Sequence, residues 1–304
     1  MPAAQDIAFR IDLPAGYDLE PLRAFHGRDP QRTSESVTGA TLTKGVLLAG
    51  VPARFDLALA LDEGRVDGTV SVDGRVSRAM KDEARETAMG LLGLRLDPAL
   101  FAAAVADDPL FGPLTQRQRG LRIIQSPTPF EALTWAVMGQ QINVSFAVSL
   151  RRTLIELAGR RHSSGLHCYP TAADVARLPL DALTTRQFSR SKAETLLRLS
   201  TLVVDGTLDL AESPSNPIDT LVTALLAVKG IGPWTVNYAL LRGYAHADAS
   251  LHGDVAVRTA IGRLRGLAVR PTAAEAAEFL AGYAPHRTMA AAHLWASLSQ
   301  AGAF

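Results

Sequence analysis

The stretch LLAVKGIGPWTVNY, residues 225–238, decides how the rest of the chain is interpreted. Two apolar runs with helical spacing are joined by Gly230, Ile231 and Gly232, and Pro233 then stands at the first position of a second helix. We expect Gly230 to adopt a positive φ at the end of the first helix and Gly232 to allow close approach of another backbone. The pattern predicts two helices joined by a tight turn, with Ile231 packed back between them.

The start of the second helix is a candidate site for a phosphate. Its first backbone amides have no partner within the helix and lie at the positive end of the helix dipole. The last carbonyls of the first helix, at Leu226, Val228 and Gly230, are suited to a monovalent cation, Na+ or K+, that bridges to the same phosphate. A bare Gly-x-Gly turn is more often an ordinary corner between helices, but the longer string through Thr235 is much more specific.

The string resembles the helix-hairpin-helix element of the DNA base-excision glycosylase superfamily. Its surroundings resemble one branch, the 3-methyladenine DNA glycosylase II type of bacterial alkylation-repair enzymes. Residues 128–141, TPFEALTWAVMGQQ, are similar to the helix with which that family interrogates the duplex. Residues 169–171, 191–194 and 293–295 also follow in family order, and the resemblance extends over roughly residues 8–300.

The resemblance assigns the catalytic role to Asp254, which follows the hairpin. In the family this carboxylate faces the sugar of the extruded nucleotide, where it stabilises the oxocarbenium-like transition state and orients or deprotonates the attacking water. Asp254 is also expected to cap a helix over residues 255–263, and the two roles are compatible. Asp248 matches another acid of the family, for which we expect a structural role in a turn.

The second position after Gly232 distinguishes two chemistries. Related glycosylase/lyases have there a lysine that forms a Schiff base, whereas this chain has Trp234, so we predict hydrolysis without strand cleavage. Trp234 and Tyr238 share one helix face. The resemblance places them in the base pocket, where aromatic rings attract a cationic alkylated purine by roughly 0.5–2 kcal/mol. Packing in the core is the alternative for this pair. His286 stands where relatives have a pocket tryptophan, a departure that affects the substrate range.

The resemblance also implies contacts with double-stranded DNA. Gln141 matches the position that fills the gap left by the extruded nucleotide, and Gln140 and Ile142 share this assignment because some relatives have leucine there. The hairpin contributes the remaining expected contacts, namely Lys229, Gly230, Ile231, Gly232 and Thr235. Arg287 is a weaker candidate, as a partner of a phosphate or of an aspartate.

Charge and composition indicate where a polyanion would bind and which classes of protein and metal site are not expected. Of 31 basic and 30 acidic residues, residues 1–113 carry 12 and 17, a balance of −5, and residues 114–304 carry 19 and 13, a balance of +6. A polyanion is therefore expected to meet the second part. No apolar run of about 18 residues and no export signal occur, which predicts a cytoplasmic protein without a membrane span. One cysteine, Cys168, cannot hold an iron–sulfur cluster, and with His162 and His167 it lacks zinc-ligand spacing.

Periodicity predicts the architecture. Residues 8–76 alternate with period two and contain turn signals, which indicates a small antiparallel sheet with helices such as residues 77–92. Beyond about residue 95 the pattern is helical. Four helix starts combine a polar N-cap with an acidic residue three positions later that reaches back to it, at Thr128, Thr171, Asn216 and Thr272.

We therefore predict an α+β protein with a small N-terminal antiparallel β-sheet domain, residues 1–95, and a two-part all-α body. One part comprises residues 96–126 and 240–304 and carries Asp254, and the other comprises residues 127–239 with the hairpin. The expected function is the hydrolytic excision of cationic alkylated purines, such as 3-methyladenine, from duplex DNA by a monomer without a cofactor. Two alternatives stay open: a glycosylase for deaminated, oxidised or etheno bases, and a DNA-binding protein without catalysis.

Overall fold

The computed structural model describes residues 5–300, which form a five-stranded antiparallel sheet with two helices, followed by a helical body. The sheet has the spatial order β1-β5-β4-β3-β2. Its strands are β1 (Gln5–Asp12), β2 (Glu35–Thr38), β3 (Thr41–Leu48), β4 (Val51–Ala60) and β5 (Arg65–Val72), and its helices are α1 (Glu20–His26) and α2 (Arg78–Leu91). The predicted α+β class is confirmed.

Alternation of apolar and polar residues gives the sheet one buried face. Phe55, Leu57 and Val70 are fully buried, whereas polar neighbours such as Asp56 remain partly exposed. Helix α2 contributes small buried residues to this core. The hydroxyl of Ser77 caps α2 by accepting from the amide of Met80 at 3.2 Å, and the helix predicted over residues 77–92 is confirmed.

The helical body begins after residue 95 and shares one continuous hydrophobic core from Phe101 to Leu298. Its division into two parts at residues 126 and 239 stays a prediction. Among residues 5–300, no helix is both long enough and apolar enough to cross a bilayer. The helices are α3 (Pro98–Ala104), α4 (Phe111–Arg117), α5 (Pro129–Gly139), α6 (Val144–Ala158), α7 (Ala172–Ala176), α8 (Leu180–Thr184), α9 (Arg190–Val204), α10 (Ile218–Leu226), α11 (Pro233–Gly243), α12 (Val255–Leu264), α13 (Ala273–Ala281) and α14 (Arg287–Gln300).

A two-stranded hairpin, β6 (Arg160–Arg161) with β7 (His167–Cys168), packs against β3. Nε2 of His162 lies 3.3 Å from the carboxylate of Asp73 in the sheet domain, and the thiol of Cys168 is buried and donates to the carbonyl of Ala53 at 3.7 Å. These side chains therefore serve the contact between the sheet and the helical body. Within the described part of the chain, no group of three or more His, Cys, Asp or Glu side chains is arranged to bind a metal.

Three of the four predicted N-caps are confirmed. The side chains of Thr128, Thr171 and Thr272 accept from the backbone amide three residues on, at 3.1, 3.2 and 3.2 Å. Only Thr171 and Thr272 complete a reciprocal capping box. The expectation that Glu131 reaches back to Thr128 is wrong, because this carboxylate lies in a buried ionic cluster.

The helix start predicted at Asn216 is also wrong. Helix α10 begins at Ile218 and is preceded by Pro217, without a side-chain cap. The side-chain amide of Asn216 donates instead to the carbonyls of Asp209 and Ala211, at 3.1 and 2.9 Å. The side chain thus closes the preceding loop, which is the usual competing role of asparagine in turns.

The buried ionic cluster joins the sheet domain to the helical body. Glu35 and Lys44 come from the sheet, and Glu131 and Arg151 come from α5 and α6. Arg151 lies 3.1 Å from Glu35 and 2.7 Å from Glu131, and Lys44 pairs with both carboxylates. All four residues are at most 7% exposed, and their charges balance. Burial raises the pKa of Glu35, but the positive charges of Arg151 and Lys44 outweigh it and hold that pKa well below its usual range.

Glu131→Gln is expected to destabilise the protein by about 3–5 kcal/mol, because it leaves buried positive charge without compensation. Denaturant unfolding measures the loss as a lower midpoint. Arg190→Gln, which breaks the exposed pair between Arg190 and Glu194, is the control and should change stability by less than about 1 kcal/mol. Similar losses in the two variants would show that the buried cluster has no special role.

Candidate functional site

Asp254 stands at the start of α12, and three donors hold its carboxylate. Oδ1 accepts from the backbone amide of Val257 at 2.9 Å and from the indole of Trp295 at 3.1 Å, and Oδ2 accepts from the indole of Trp234 at 2.8 Å. The residue is half-buried, and its predicted role as an N-cap is confirmed. All three donors are neutral, and within residues 5–300 no cationic side chain forms an ion pair with Asp254. Its negative charge is therefore oriented but not neutralised.

The rings of Trp234, Tyr238 and Trp295 lie next to this carboxylate, and we call them the aromatic wall. The rings of Trp234 and Tyr238 on α11 have centroids 5.6 Å apart, and Tyr238 lies 6.4 Å from Trp295 on α14. Tyr238 is buried, whereas the two tryptophans are partly exposed. The predicted shared face of Trp234 and Tyr238 is thus present. Tyr238 packs in the core, which was the alternative for this pair, whereas the place of the partly exposed Trp234 in a base pocket stays a prediction.

Arg242 lies behind the aromatic wall, one turn beyond Tyr238. Its guanidinium carbon is 5.8 Å from the ring of Trp295 and 4.7 Å from the ring of Phe25 on α1, and Nη1 donates to the carbonyl of Ile124 at 2.6 Å. Burial lowers the pKa of Arg242 to about 10, so the side chain remains charged at neutral pH. The wall therefore contacts a cation as well as the anion of Asp254.

Trp295, Arg242 and Phe25 were not predicted as site residues. The spacing of four that joins Trp234 to Tyr238 continues to Arg242, and this spacing was the available signal. Trp295 was noted only as part of a resembling segment. Nothing local in the sequence indicates Phe25, because it reaches the site from the sheet domain.

His286 lies just before α14 and belongs to a different aromatic cluster. Its ring is 6.4 Å from that of Phe101, which also stacks on His293 at 5.6 Å. Among the described residues, no hydrogen bond or ring contact connects His286 with Asp254 or with the aromatic wall. The structure therefore does not bring His286 together with the other predicted pocket residues.

The glycine turn has the predicted geometry, with one correction. Gly230 has φ of +99°, and Ile231 is 6% exposed and packs back as expected. Gly230 was expected directly at the end of the first helix, but α10 ends four residues earlier, at Leu226, because residues 227–230 already form the turn. Lys229 is exposed, as a contact with DNA requires.

Helix α11 begins at Pro233 without a side-chain cap, and because proline has no N–H, the amides that stay available to an anion are those of Gly232 and Trp234. A Cβ at its N-cap, Gly232, would meet no atom within 4 Å, which leaves the approach to these amides open. The side chain of Thr235 is 1% exposed, in contrast to the expected contact with DNA. Thr235 faces the inside of the protein, where its hydroxyl accepts from the side chain of Gln140 at 3.0 Å.

The structure distinguishes the three candidates for the gap-filling residue. Gln140 is tied to the hairpin through its side-chain amide, which donates to the carbonyl of Gly230 at 3.0 Å. Ile142 packs against the core of the helical body. Gln141 is exposed and has φ of +56°, an uncommon conformation for a residue other than glycine. Gln141 is therefore the one that projects from the end of α5.

The three carbonyls predicted to bind a cation differ in the hydrogen bonds that they already accept. The carbonyl of Val228 accepts from the amide of Ile231 at 3.0 Å, and that of Gly230 accepts from Gln140. The carbonyl of Leu226 accepts no hydrogen bond from the described residues. Because each carbonyl oxygen has two lone pairs, each of the three keeps a lone pair for a cation, and the binding of Na+ or K+ there stays a prediction.

Asp248 and Arg287 form a structural pair. Arg287 donates to the two carboxylate oxygens of Asp248 at 2.7 and 2.6 Å, and the backbone amide of Arg287 lies 3.3 Å from the same carboxylate. Asp248 thus holds the start of α14, the structural role that was expected. Arg287 has its predicted aspartate partner.

Comparison with known proteins gives a consistent result. Residues 134–286 match the model of the HhH-GPD superfamily base excision DNA repair proteins, a span that contains both the hairpin and Asp254. The Bacillus subtilis (strain 168) protein named DNA-3-methyladenine glycosylase is 25% identical over 288 residues, which cover 94% of this chain and 95% of that protein. The Escherichia coli (strain K12) DNA-3-methyladenine glycosylase 2 is 27% identical over 207 residues, covering 67% and 68%.

Solved structures share the fold. A 3-methyladenine DNA-glycosylase from Archaeoglobus fulgidus matches with a TM-score of 0.77 at 20% identity, over 94% of this chain and 97% of that one. The Clostridium acetobutylicum 8-oxoguanine glycosylase/lyase, in complex with duplex DNA, matches with a TM-score of 0.75 at 14% identity, over 98% of each chain. At such identities these likenesses concern the fold and not the substrate.

Proposed function

Because this chain belongs to the HhH-GPD superfamily of base excision DNA repair proteins, we propose that it is a monofunctional DNA glycosylase that excises alkylated purines from duplex DNA. The observation that carries the proposal is the carboxylate of Asp254, which is held by two indole groups and has no cationic partner among the described residues. Relatives named DNA-3-methyladenine glycosylase support the same substrate class. Duplex DNA is the corresponding partner.

The chemistry assigned to Asp254 follows from its charge and its contacts. When the C1′–N bond breaks, the base leaves with the electron pair and positive charge develops on the sugar. A fixed carboxylate beside C1′ stabilises this charge, which is absent from the bound substrate. Water then adds to C1′, and its proton passes to Asp254 or to solvent, leaving an abasic site. The indole donors fix the carboxylate before the reaction begins.

Hydrolysis without strand cleavage is supported by the contacts of Asp254, because no lysine among the described residues is hydrogen-bonded to it. Trp234 occupies the position of the Schiff-base lysine and donates a hydrogen bond to Asp254. Lys229 is exposed on the other side of the glycine turn. The ammonium group of Lys192 is bonded to the carbonyls of Met138 and Gln140. Neither lysine is hydrogen-bonded to Asp254, which supports water as the nucleophile.

The aromatic wall is suited to an alkylated purine. Partly exposed indole rings attract the positive charge of an N3- or N7-alkylated base, which is also a good leaving group and needs little acid catalysis. One observation favours the second candidate function, the excision of neutral deaminated, oxidised or etheno bases. The charged guanidinium of Arg242 lies 5.8 Å from the ring of Trp295 and opposes a cation on that side of the wall.

Asp254→Asn is expected to lower the single-turnover rate of base release by about 100-fold or more, because the negative charge is lost. The Asn side-chain oxygen can still cap α12, so folding and affinity for an abasic duplex should change little. Borohydride should trap no covalent adduct with the wild-type protein. A variant with the wild-type rate would contradict the assignment of Asp254, and a trapped adduct would contradict the monofunctional mechanism.

A panel of duplexes, each with one lesion, tests the substrate class. We expect faster release of 3-methyladenine and 7-methylguanine than of hypoxanthine, ethenoadenine and 8-oxoguanine, because the former carry positive charge at the aromatic wall. Faster release of the neutral bases would instead establish the second candidate function. Binding without release from any duplex would indicate a DNA-binding protein that lacks catalysis.

We further propose that Na+ or K+ binds to the carbonyls of Leu226, Val228 and Gly230 and bridges to a DNA phosphate. Affinity for an abasic duplex should then be several-fold higher in KCl than in tetramethylammonium chloride of equal ionic strength, because the larger cation cannot fit between the carbonyls. Equal affinities in the two salts would contradict the site.

A further inference from the structure

The end of α5 and the start of α9 both contact the glycine turn. One side chain connects the end of α5 with the turn. The amide nitrogen of Gln140 donates to the carbonyl of Gly230 at 3.0 Å and to the hydroxyl of Thr235 at 3.0 Å. Both acceptors belong to the hairpin, so Gln140, which precedes the exposed Gln141, is hydrogen-bonded to the hairpin.

Lys192 of α9 also contacts the end of α5, residues 138–141, which we call the tip of α5. Its ammonium group donates to the carbonyls of Met138 and Gln140 at 2.7 and 2.5 Å. These carbonyls end α5, where the negative end of the helix dipole favours a cation. Lys192 thus replaces a glycine cap, and Gln141 can turn outward in the left-handed conformation directly after the helix.

Helix α9 also contacts the hairpin. A Cβ at Gly230 would lie only 2.0 Å from the hydroxyl of Thr195, one turn after Lys192, so the turn packs directly on α9. Arg198, a further turn along, donates to the carbonyl of Lys229 at 3.1 Å. One face of α9 therefore contacts both the exposed tip of α5 and the turn that precedes the free amides of α11.

We propose that Gln140 and Lys192 are positioning residues that hold Gln141 at a fixed distance from the phosphate-binding turn. This inference rests on the proposed function. A rigid connection lets the binding energy of the phosphate contacts drive Gln141 into the base stack, because the tip loses no further conformational freedom on insertion. Without the hydrogen bonds of Gln140 and Lys192, the protein still binds the DNA strand but extrudes the nucleotide less often.

The test compares base release from two duplexes with the same lesion. In the first the lesion is paired and stacked, and in the second it lies opposite an abasic site, which makes extrusion easier. Gln140→Met keeps the length of the side chain but removes the donor. We expect its single-turnover rate to fall about 10- to 100-fold on the first duplex and less than about threefold on the second. Equal losses on the two duplexes, or no loss, would overturn the proposal.

Variants at Lys192 provide the second comparison. Lys192→Met should repeat the pattern of Gln140→Met, and Lys192→Arg should restore most of the wild-type rate, because a guanidinium can donate to both carbonyls. Lys229→Met is the matched control on the exposed side of the turn. It should weaken binding to both duplexes equally and reduce the salt dependence by about one phosphate. A difference between the duplexes with Lys229→Met, or no rescue by arginine, would count against the proposal.

A fluorescent readout separates this proposal from the proposed function. 2-Aminopurine placed beside the lesion brightens when the stack opens, whether or not a base is released. We expect a clear increase on binding of the wild-type protein and a several-fold smaller one with Gln140→Met at saturating protein. If the wild-type protein opens the stack but releases no base, the proposed function fails while the positioning role stands. Equal brightening by the wild-type protein and the variant would refute the positioning role.

Discussion

The carboxylate of Asp254, which has only neutral hydrogen-bond donors among the described residues, is the feature on which the candidate site depends. This carboxylate accepts from the indole of Trp234 on α11, from the indole of Trp295 on α14 and from an amide of its own helix. These contacts span residues 20 and 41 positions away in the chain, so the carboxylate is oriented only when the helices are packed together. Neutral donors orient the charge without cancelling it, which leaves it free to stabilise positive charge on a sugar.

The sheet domain supports the other side of the site. Its Glu35 and Lys44 form the buried ionic cluster with Glu131 and Arg151, and Glu131 lies in the first turn of α5. The same helix ends at Gly139, and its C-cap Gln140 lies beside the glycine turn. Helix α5 is therefore held at its start by charges from the sheet and at its end by α9. The N-terminal domain therefore helps to fix the position of α5 and of Gln141, the residue that we propose enters the base stack.

Local rules predicted much of the fold but less of the site. Positive φ at Gly230, the burial of Ile231 and the capping role of Asp254 follow from steric and hydrogen-bonding preferences of single residues. The start assigned to Asn216 failed because its side chain bonds to an earlier loop, a competition that spacing does not reveal. Trp295 was missed as a ligand of Asp254 because long-range packing, and not local pattern, brings it there.

The central claim is that the Asp254 carboxylate faces the sugar of an extruded nucleotide. The most direct measurement is a crystal structure of the protein with a duplex that contains a cationic pyrrolidine analogue of the abasic sugar. We expect a carboxylate oxygen within about 3.5 Å of the ring nitrogen, the distance of a charge-assisted hydrogen bond or close ion pair. The hydrogen bonds from Trp234 and Trp295 should be retained. An analogue bound elsewhere, or a sugar separated from Asp254 by another side chain, would contradict the account.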